Sequence, residues 1–273
     1  MNETFEDFAR AHGLIFRHIE SGKWVAVPTT DHPRKRNGRY KFLGGIGWVQ
    51  NWATMQSPEV WRDGTSSRLT LNKIIRESSA DRAREGREAA SKAAWILSQC
   101  HIDTHPYLAA KGFPKERGHV WVKDEPLLVI PMRSGGRLVG CQLIDKEGGK
   151  KFLRGQISKG ASFEIGTGGT PVFCEGYATG LSLRDALSTS QLRYKIYVCF
   201  SAGNMEGISI GVVGGFVVAD NDLSGTGESA ARKAGKPYWI SPTVREDFND
   251  FHRRVGLFQA SQAIKKMVYS ARG

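Results

Sequence analysis

Pro171-Val-Phe-Cys-Glu175-Gly176, Lys195-Ile-Tyr-Val-Cys-Phe200 with the following Ser201-Ala-Gly-Asn204, and Phe216-Val-Val-Ala-Asp220-Asn-Asp222 decide the fold. Each is an apolar run of strand length that gives way to a polar or acidic residue. Ala178–Leu187 and Gly227–Ala234 read as helices, and Pro237-Tyr-Trp-Ile240 reads as a fourth strand. Apolar strands that alternate with helices predict a buried parallel sheet. Ligands bind such sheets at the carboxyl ends of the strands. Glu175, Asp220 and Asp222 fall at those ends.

Asp220 and Asp222 are two apart, so extended geometry projects them to one side. Downstream, Asp247 and Asp250 are three apart in Arg245-Glu-Asp-Phe-Asn-Asp-Phe251. Carboxylates gathered in this way repel one another and need water or a cation. Hard oxygens suit Mg²⁺ or Mn²⁺, and paired ions of that kind support phosphoryl transfer. A calcium loop opening at Asp220 is excluded, because its twelfth position is Ala231 rather than Glu. Gly225-Thr-Gly227-Glu-Ser-Ala230 matches a dinucleotide fingerprint, but Asp220 and Asp222 stand between the strand and its first glycine. A surface turn whose acids cap the next helix is the bland alternative, and spacing alone leaves it open. No P-loop string is present, so no motor accompanies the site.

Upstream of 170 the pattern is different. Residues 1–65 read as a small β-rich domain, with a helix over Thr4–His12 and strands over Gly22–Pro28 and Gly38–Gly44. It holds Trp24, Trp48, Trp52 and Trp61, with Arg34, Lys35, Arg36, Arg39, Tyr40 and Lys41 among them. Aromatics interleaved with cations suit single-stranded bases and their phosphates. The same tryptophans would equally serve as the core of a small domain. Residues 66–104 read as a helical linker, in which Ala83, Ala90, Ala94 and Leu97 share a face. Residues 105–169 form a basic α+β subdomain, with strands at Pro126–Pro131, Leu138–Ile144 and Lys151–Leu153. Residues 170–258 are the parallel-sheet domain, and 259–273 a C-terminal helix or tail.

The 273 residues carry a formal charge of +12, which points to a polyanionic partner. Residues 66–169 hold 18 basic against 11 acidic residues, whereas 170–260 hold 9 of each. The four cysteines, Cys100, Cys141, Cys174 and Cys199, form no Cys-x-x-Cys pair, so zinc is not expected. No apolar run reaches the roughly 18 residues of a membrane span. The opening lacks the basic and apolar regions of a secretory leader. The expectation is therefore a cytoplasmic protein without a membrane partner.

Taken as a set, Val172-Phe-Cys-Glu175-Gly176, Ser201-Ala-Gly-Asn204 and Val218-Ala-Asp220-Asn-Asp222 resemble the TOPRIM domain. Asp247-Phe-Asn-Asp250-Phe, together with the preceding His105–Phe113, Ile130–Arg133, Gly135–Gly140 and Lys150–Gly155 segments, is similar to DnaG-type primases, particularly plasmid and phage versions. The resemblance covers roughly 100–258. It implies synthesis of short RNA primers on a single-stranded DNA template from ribonucleoside triphosphates. Glu175, Asp220 and Asp222 would be both catalytic and metal-holding, and Asp247 and Asp250 would complete the Mg²⁺ or Mn²⁺ site. Lys151, Arg154 and Lys159 would hold template or triphosphate. A replicative helicase or other replication protein would act in trans. The family's usual zinc ribbon has no counterpart, since 1–65 contain no cysteine. A TOPRIM nuclease and a non-catalytic single-strand-binding protein are the alternatives.

Overall fold

A computed structural model of the chain describes residues 3–55, 57–64 and 68–271. The domain boundary expected at 65/66 lies outside the described residues. The chain divides into two compact units, Met1–Ala83 and Arg84–Gly273.

In the first unit, α1 (Phe5–Ala11) begins at Thr4, whose hydroxyl caps the Asp7 amide while Asp7 reaches back to the Thr4 amide. This reciprocal box satisfies two helix-end donors, the reason the sequence starts a helix there. Four antiparallel strands follow in the order β1 (Trp24–Val27), β2 (Gly38–Leu43), β3 (Ile46–Asn51) and β4 (Glu59–Arg62). Phe5 stacks on Phe42 at 5.0 Å and lies against Tyr40 and Trp61. Gly47 of β3 faces that ring so closely that any Cβ would overlap it.

The second unit holds two sheets. The antiparallel sheet has the order β5 (His101–Asp103), β6 (Gly118–Val122), β7 (Pro126–Ser134), β8 (Arg137–Ile144), β9 (Lys150–Phe152), with α3 (Pro106–Ala110) between β5 and β6. Against its β7–β8 region packs the C-terminal half of α2 (Arg68–Ser98), through Ala89, Ala93 and Ile96. That stripe lies one residue before the expected one, and Ala94 is exposed. The sequence here is alanine-rich all round, so its periodicity did not select a face; the sheet did.

The other sheet has the order β10 (Phe163–Ile165), β12 (Tyr194–Val198), β11 (Thr170–Cys174), β13 (Phe216–Ala219), β14 (Tyr238–Ile240). β12, β11, β13 and β14 are parallel, and β10 is an antiparallel edge. Helices α4 (Tyr177–Thr189), α5 (Ala202–Ile210), α6 (Thr226–Lys233), α7 (Phe248–Val255) and α8 (Leu257–Ser270) surround it. Alternate residues feed two cores. Val172, Cys174, Phe216 and Val218 pack with Leu181, Ile264 and Val268, while Phe173, Val217 and Ala219 pack with Met205, Ala230 and Ala231. Burial on both faces explains why these strands are continuously apolar. No helix among the described residues is long and apolar enough to cross a membrane.

Candidate functional site

β11 and β13 are hydrogen-bonded neighbours, so Glu175 and Asp220 leave the sheet side by side at its carboxyl edge. Asp222 follows in the turn before α6, and Asp247 caps α7 by accepting from the Asp250 amide at 2.8 Å. Asp220, Asp222, Asp247 and Asp250 line one cleft of about 360 Å³, together with Asn221, Leu223, Arg245 and Glu246. Glu175 is not part of that lining. It stands beside Asp220, half-buried, and acts on the cleft through its charge.

The electrostatics are those of crowded acids. Burial, reinforced by Glu175 and Asp247, pushes the Asp220 carboxyl up to about 7, against the pull of Lys150. Burial and the charge of Asp222 raise Glu175 as well, and the Ala202 amide and Lys150 oppose them. Asp222 goes the other way. Its carboxylate accepts from the Ser224 hydroxyl at 2.5 Å and from the Thr226 amide at 3.4 Å, which holds it below the usual range. Glu246 is spoken for by Arg254, 2.6 Å away, and by Ser241. The geometry therefore separates a structural acid, Glu246, from four that face the opening.

Carboxylate oxygens are the donor type that a hard divalent cation takes. Asp220 Oδ1 is buried without a hydrogen-bond partner, an arrangement that costs about 1–3 kcal/mol or more unless something positive satisfies it. Among the described residues, however, no three His, Cys, Asp or Glu side chains are already gathered into a ligand shell. The carboxylates line a space rather than close around a point. Water or substrate oxygens would complete the coordination, as is usual for Mg²⁺.

A second cleft of about 300 Å³ is cationic. Lys111, Lys146, Lys150 and Arg253 line it, with Tyr107, Ala110, Glu147 and Gly148. It adjoins the acidic cleft: Lys111 Nζ lies 3.8 Å from Asp250 Oδ1, and the charge of Lys150 reaches both Glu175 and Asp220. None of Lys111, Lys146, Lys150 and Arg253 is assigned a role by the sequence alone. Strand alternation was the available signal for Lys150. Opposite Ile144 and Leu143 respectively, Lys150 and Lys151 present opposite faces of β9. Lys151, Arg154 and Lys159 are exposed on and after that strand.

The Ser201–Asn204 string proves to be scaffold. Ser201 caps α5, and Asn204 donates to Ala161 and Cys199 carbonyls at 2.7 and 2.8 Å and accepts from the Gly160 amide at 2.8 Å. It thereby ties the segment leaving the antiparallel sheet to the end of β12. Phe200, between them, sits at φ 68, and its amide donates to the Glu175 carbonyl at 2.9 Å. A phenylalanine in the left-handed region is strained, and such strain is held by its surroundings.

In the first unit the expected nucleic-acid residues divide. Arg34, Lys35 and Arg36 are exposed, and Arg39 lies between two indoles. Tyr40 is a correction. β2 turns Arg39 and Tyr40 to opposite faces, and Tyr40 is 1% exposed against Phe5 and Phe16. Its hydroxyl accepts from the Glu20 amide at 3.0 Å and donates to the His18 carbonyl at 3.3 Å. No base can stack on it.

No family model matches the sequence, and no curated protein matches it. Among solved structures, the chain is similar to one of bacteriophage T7 lagging-strand DNA polymerase interacting with primase domains of two gp4 subunits bound to an RNA/DNA hybrid and dTTP. The identity there is 16% and the TM-score 0.42, over 60% of this chain and 86% of that one. It is also similar to the primase fragment of the bacteriophage T7 primase-helicase protein, at 16% identity and TM-score 0.41, over 60% and 69%.

Proposed function

We propose that the chain is a TOPRIM-type primase, which joins ribonucleoside triphosphates into short primers on single-stranded DNA. The observation that carries this reading is the junction of the two clefts. An acidic cleft with an unsatisfied buried carboxylate oxygen opens beside a pocket of four cations, and Lys111–Asp250 lies at their boundary. A nucleoside triphosphate associated with a divalent cation is a ligand of matching chemistry, with phosphates for one cleft and metal for the other.

Asp220 and Asp222, with Asp247 and Asp250, are the residues proposed to hold Mg²⁺ or Mn²⁺. When bound, the cation would stabilise charge on the attacking and leaving oxygens. The protein's own part is positional. Lys111, Lys146, Lys150 and Arg253 would bind the phosphates, and Glu175, whose carboxyl the fold holds above its usual range, would keep or accept a proton near the reacting hydroxyl. Single-stranded template, and a replicative helicase or another replication protein in trans, are the partners this role requires.

The test is an incubation with mixed single-stranded DNA, four ribonucleotides including one α-labelled, and Mg²⁺ or Mn²⁺. Short labelled products are expected, and Asp220→Ala and Glu175→Ala should abolish them. Metal-dependent shortening of an end-labelled template without new products would instead make the chain a nuclease. Template binding with neither reaction, even with a helicase added, would reject catalysis.

A further inference from the structure

The first unit has a feature that the cleft chemistry does not use. On the face of its sheet opposite the Phe5 core, the Arg39 guanidinium carbon lies 4.4 Å from the Trp24 ring centroid and 5.7 Å from that of Trp52. Arg39 Nε and Nη2 both donate to Gln50 Oε1, at 3.1 and 2.8 Å, which fixes the plane of the cation. No carboxylate among the described residues pairs with it, and the charge of Arg82 bears on it too. Both indoles are open, at 41% and 47% exposure. Trp52 also donates its amide to the Asn37 carbonyl at 3.0 Å, anchoring the end of the exposed Arg34-Lys35-Arg36 loop beside it.

Two exposed indoles lie around a fixed cation, and Arg34, Lys35 and Arg36, exposed and without a carboxylate partner among the described residues, stand in the loop beside Trp52. A proline-rich peptide would use the indoles but has no need of the charge. A duplex offers phosphates but hides the faces of its bases. A single strand offers both, and stacking of this kind is worth roughly 1–3 kcal/mol per base. We propose that Trp24, Arg39 and Trp52 form a stacking platform for single-stranded nucleic acid, whose backbone runs along Arg34–Arg36. The platform is independent of the carboxylate cleft and needs no metal.

The experiment is a titration of the full chain with labelled oligo(dT) of about 16 nucleotides, in chelator and without nucleotides. Trp24→Ala and Trp52→Ala should each weaken binding by about 5- to 100-fold. Trp52→Phe should retain most of it. Arg34→Gln and Arg36→Gln should flatten the dependence of affinity on salt. The tryptophan effects should persist when Lys111→Ala and Lys150→Ala are also present, which separates this surface from the proposed nucleotide pocket. Affinities within about twofold of wild type in both alanine variants would overturn the proposal, twofold being under 0.5 kcal/mol. Ultraviolet cross-linking of the unaltered chain gives a check that needs no variant to fold. Adducts at Trp24 or Trp52 are expected, and adducts confined to other residues would overturn it. So would saturable binding of a proline-rich peptide with none of oligo(dT).

Discussion

Asp220 is a carboxylate placed where its charge is least welcome. Its carboxyl moves from 3.8 to about 7 through burial first and neighbouring acids second. Below about pH 4 it is protonated in both folded and unfolded chains and costs nothing. As the pH rises the unfolded chain ionises first, so the fold loses stability progressively, until the full cost is present above about 7. The span corresponds to on the order of 4 kcal/mol at most. In metal-free buffer Asp220→Asn is therefore expected to raise the thermal midpoint at pH 8 and to do far less at pH 4. An equal change at both would assign the effect to packing. Added Mg²⁺ should raise the wild-type midpoint at pH 8 and do markedly less for Asp220→Asn, as differential scanning fluorimetry would show.

At the scale of elements, the site depends on how closely α6 approaches β13. A Cβ on Gly227 would lie 2.5 Å from the Asp220 carbonyl oxygen and 3.4 Å from Glu175 Oε1, and the nearest of these is backbone that cannot rotate away. Gly227→Ala should cost about 1–3 kcal/mol despite alanine's better helix propensity, and should lower the proposed primer synthesis because Asp220 must shift. Gly207 of α5 is the contrasting case, with nothing within 4 Å of its Cβ position. There the alanine substitution should stabilise by about 0.5–1 kcal/mol. Chemical denaturation of the two variants checks both signs together. If both stabilise, α6 has more room than this packing allows.

Across the whole chain the positive charge is uneven, and four cations of the second unit meet in one place. Lys111 follows α3, Lys146 and Lys150 flank the turn into β9, and Arg253 is on α7, yet all four line one pocket beside the acids. Lys111→Ala and Lys150→Ala should each weaken binding of ATP by about 10- to 100-fold, the value of a charge-assisted contact. Lys151→Ala, on the other face of β9, should change it far less. Isothermal titration distinguishes these. Equal losses at Lys150 and Lys151 would mean that the phosphates lie along the strand rather than in the pocket.

The parallel sheet was legible because its strands are buried on both faces, and burial writes itself into sequence as unbroken runs such as Phe216-Val-Val-Ala219. Glu175, Asp220 and Asp222 were legible for a related reason: an acid that ends such a run has nowhere to go but the sheet's carboxyl edge. The face of α2 was not legible, since an alanine-rich helix fits a sheet on any side. Nor was the burial of Tyr40, where aromatic and basic residues alternate and only the position of the Phe5 core decides which side is dry. Lys111 and Arg253 lie 142 positions apart in the chain. Nothing local relates them, and they become neighbours only because the turn after α3 meets α7, where Asn249 donates to the Lys111 carbonyl, so their pocket belongs to the tertiary structure alone.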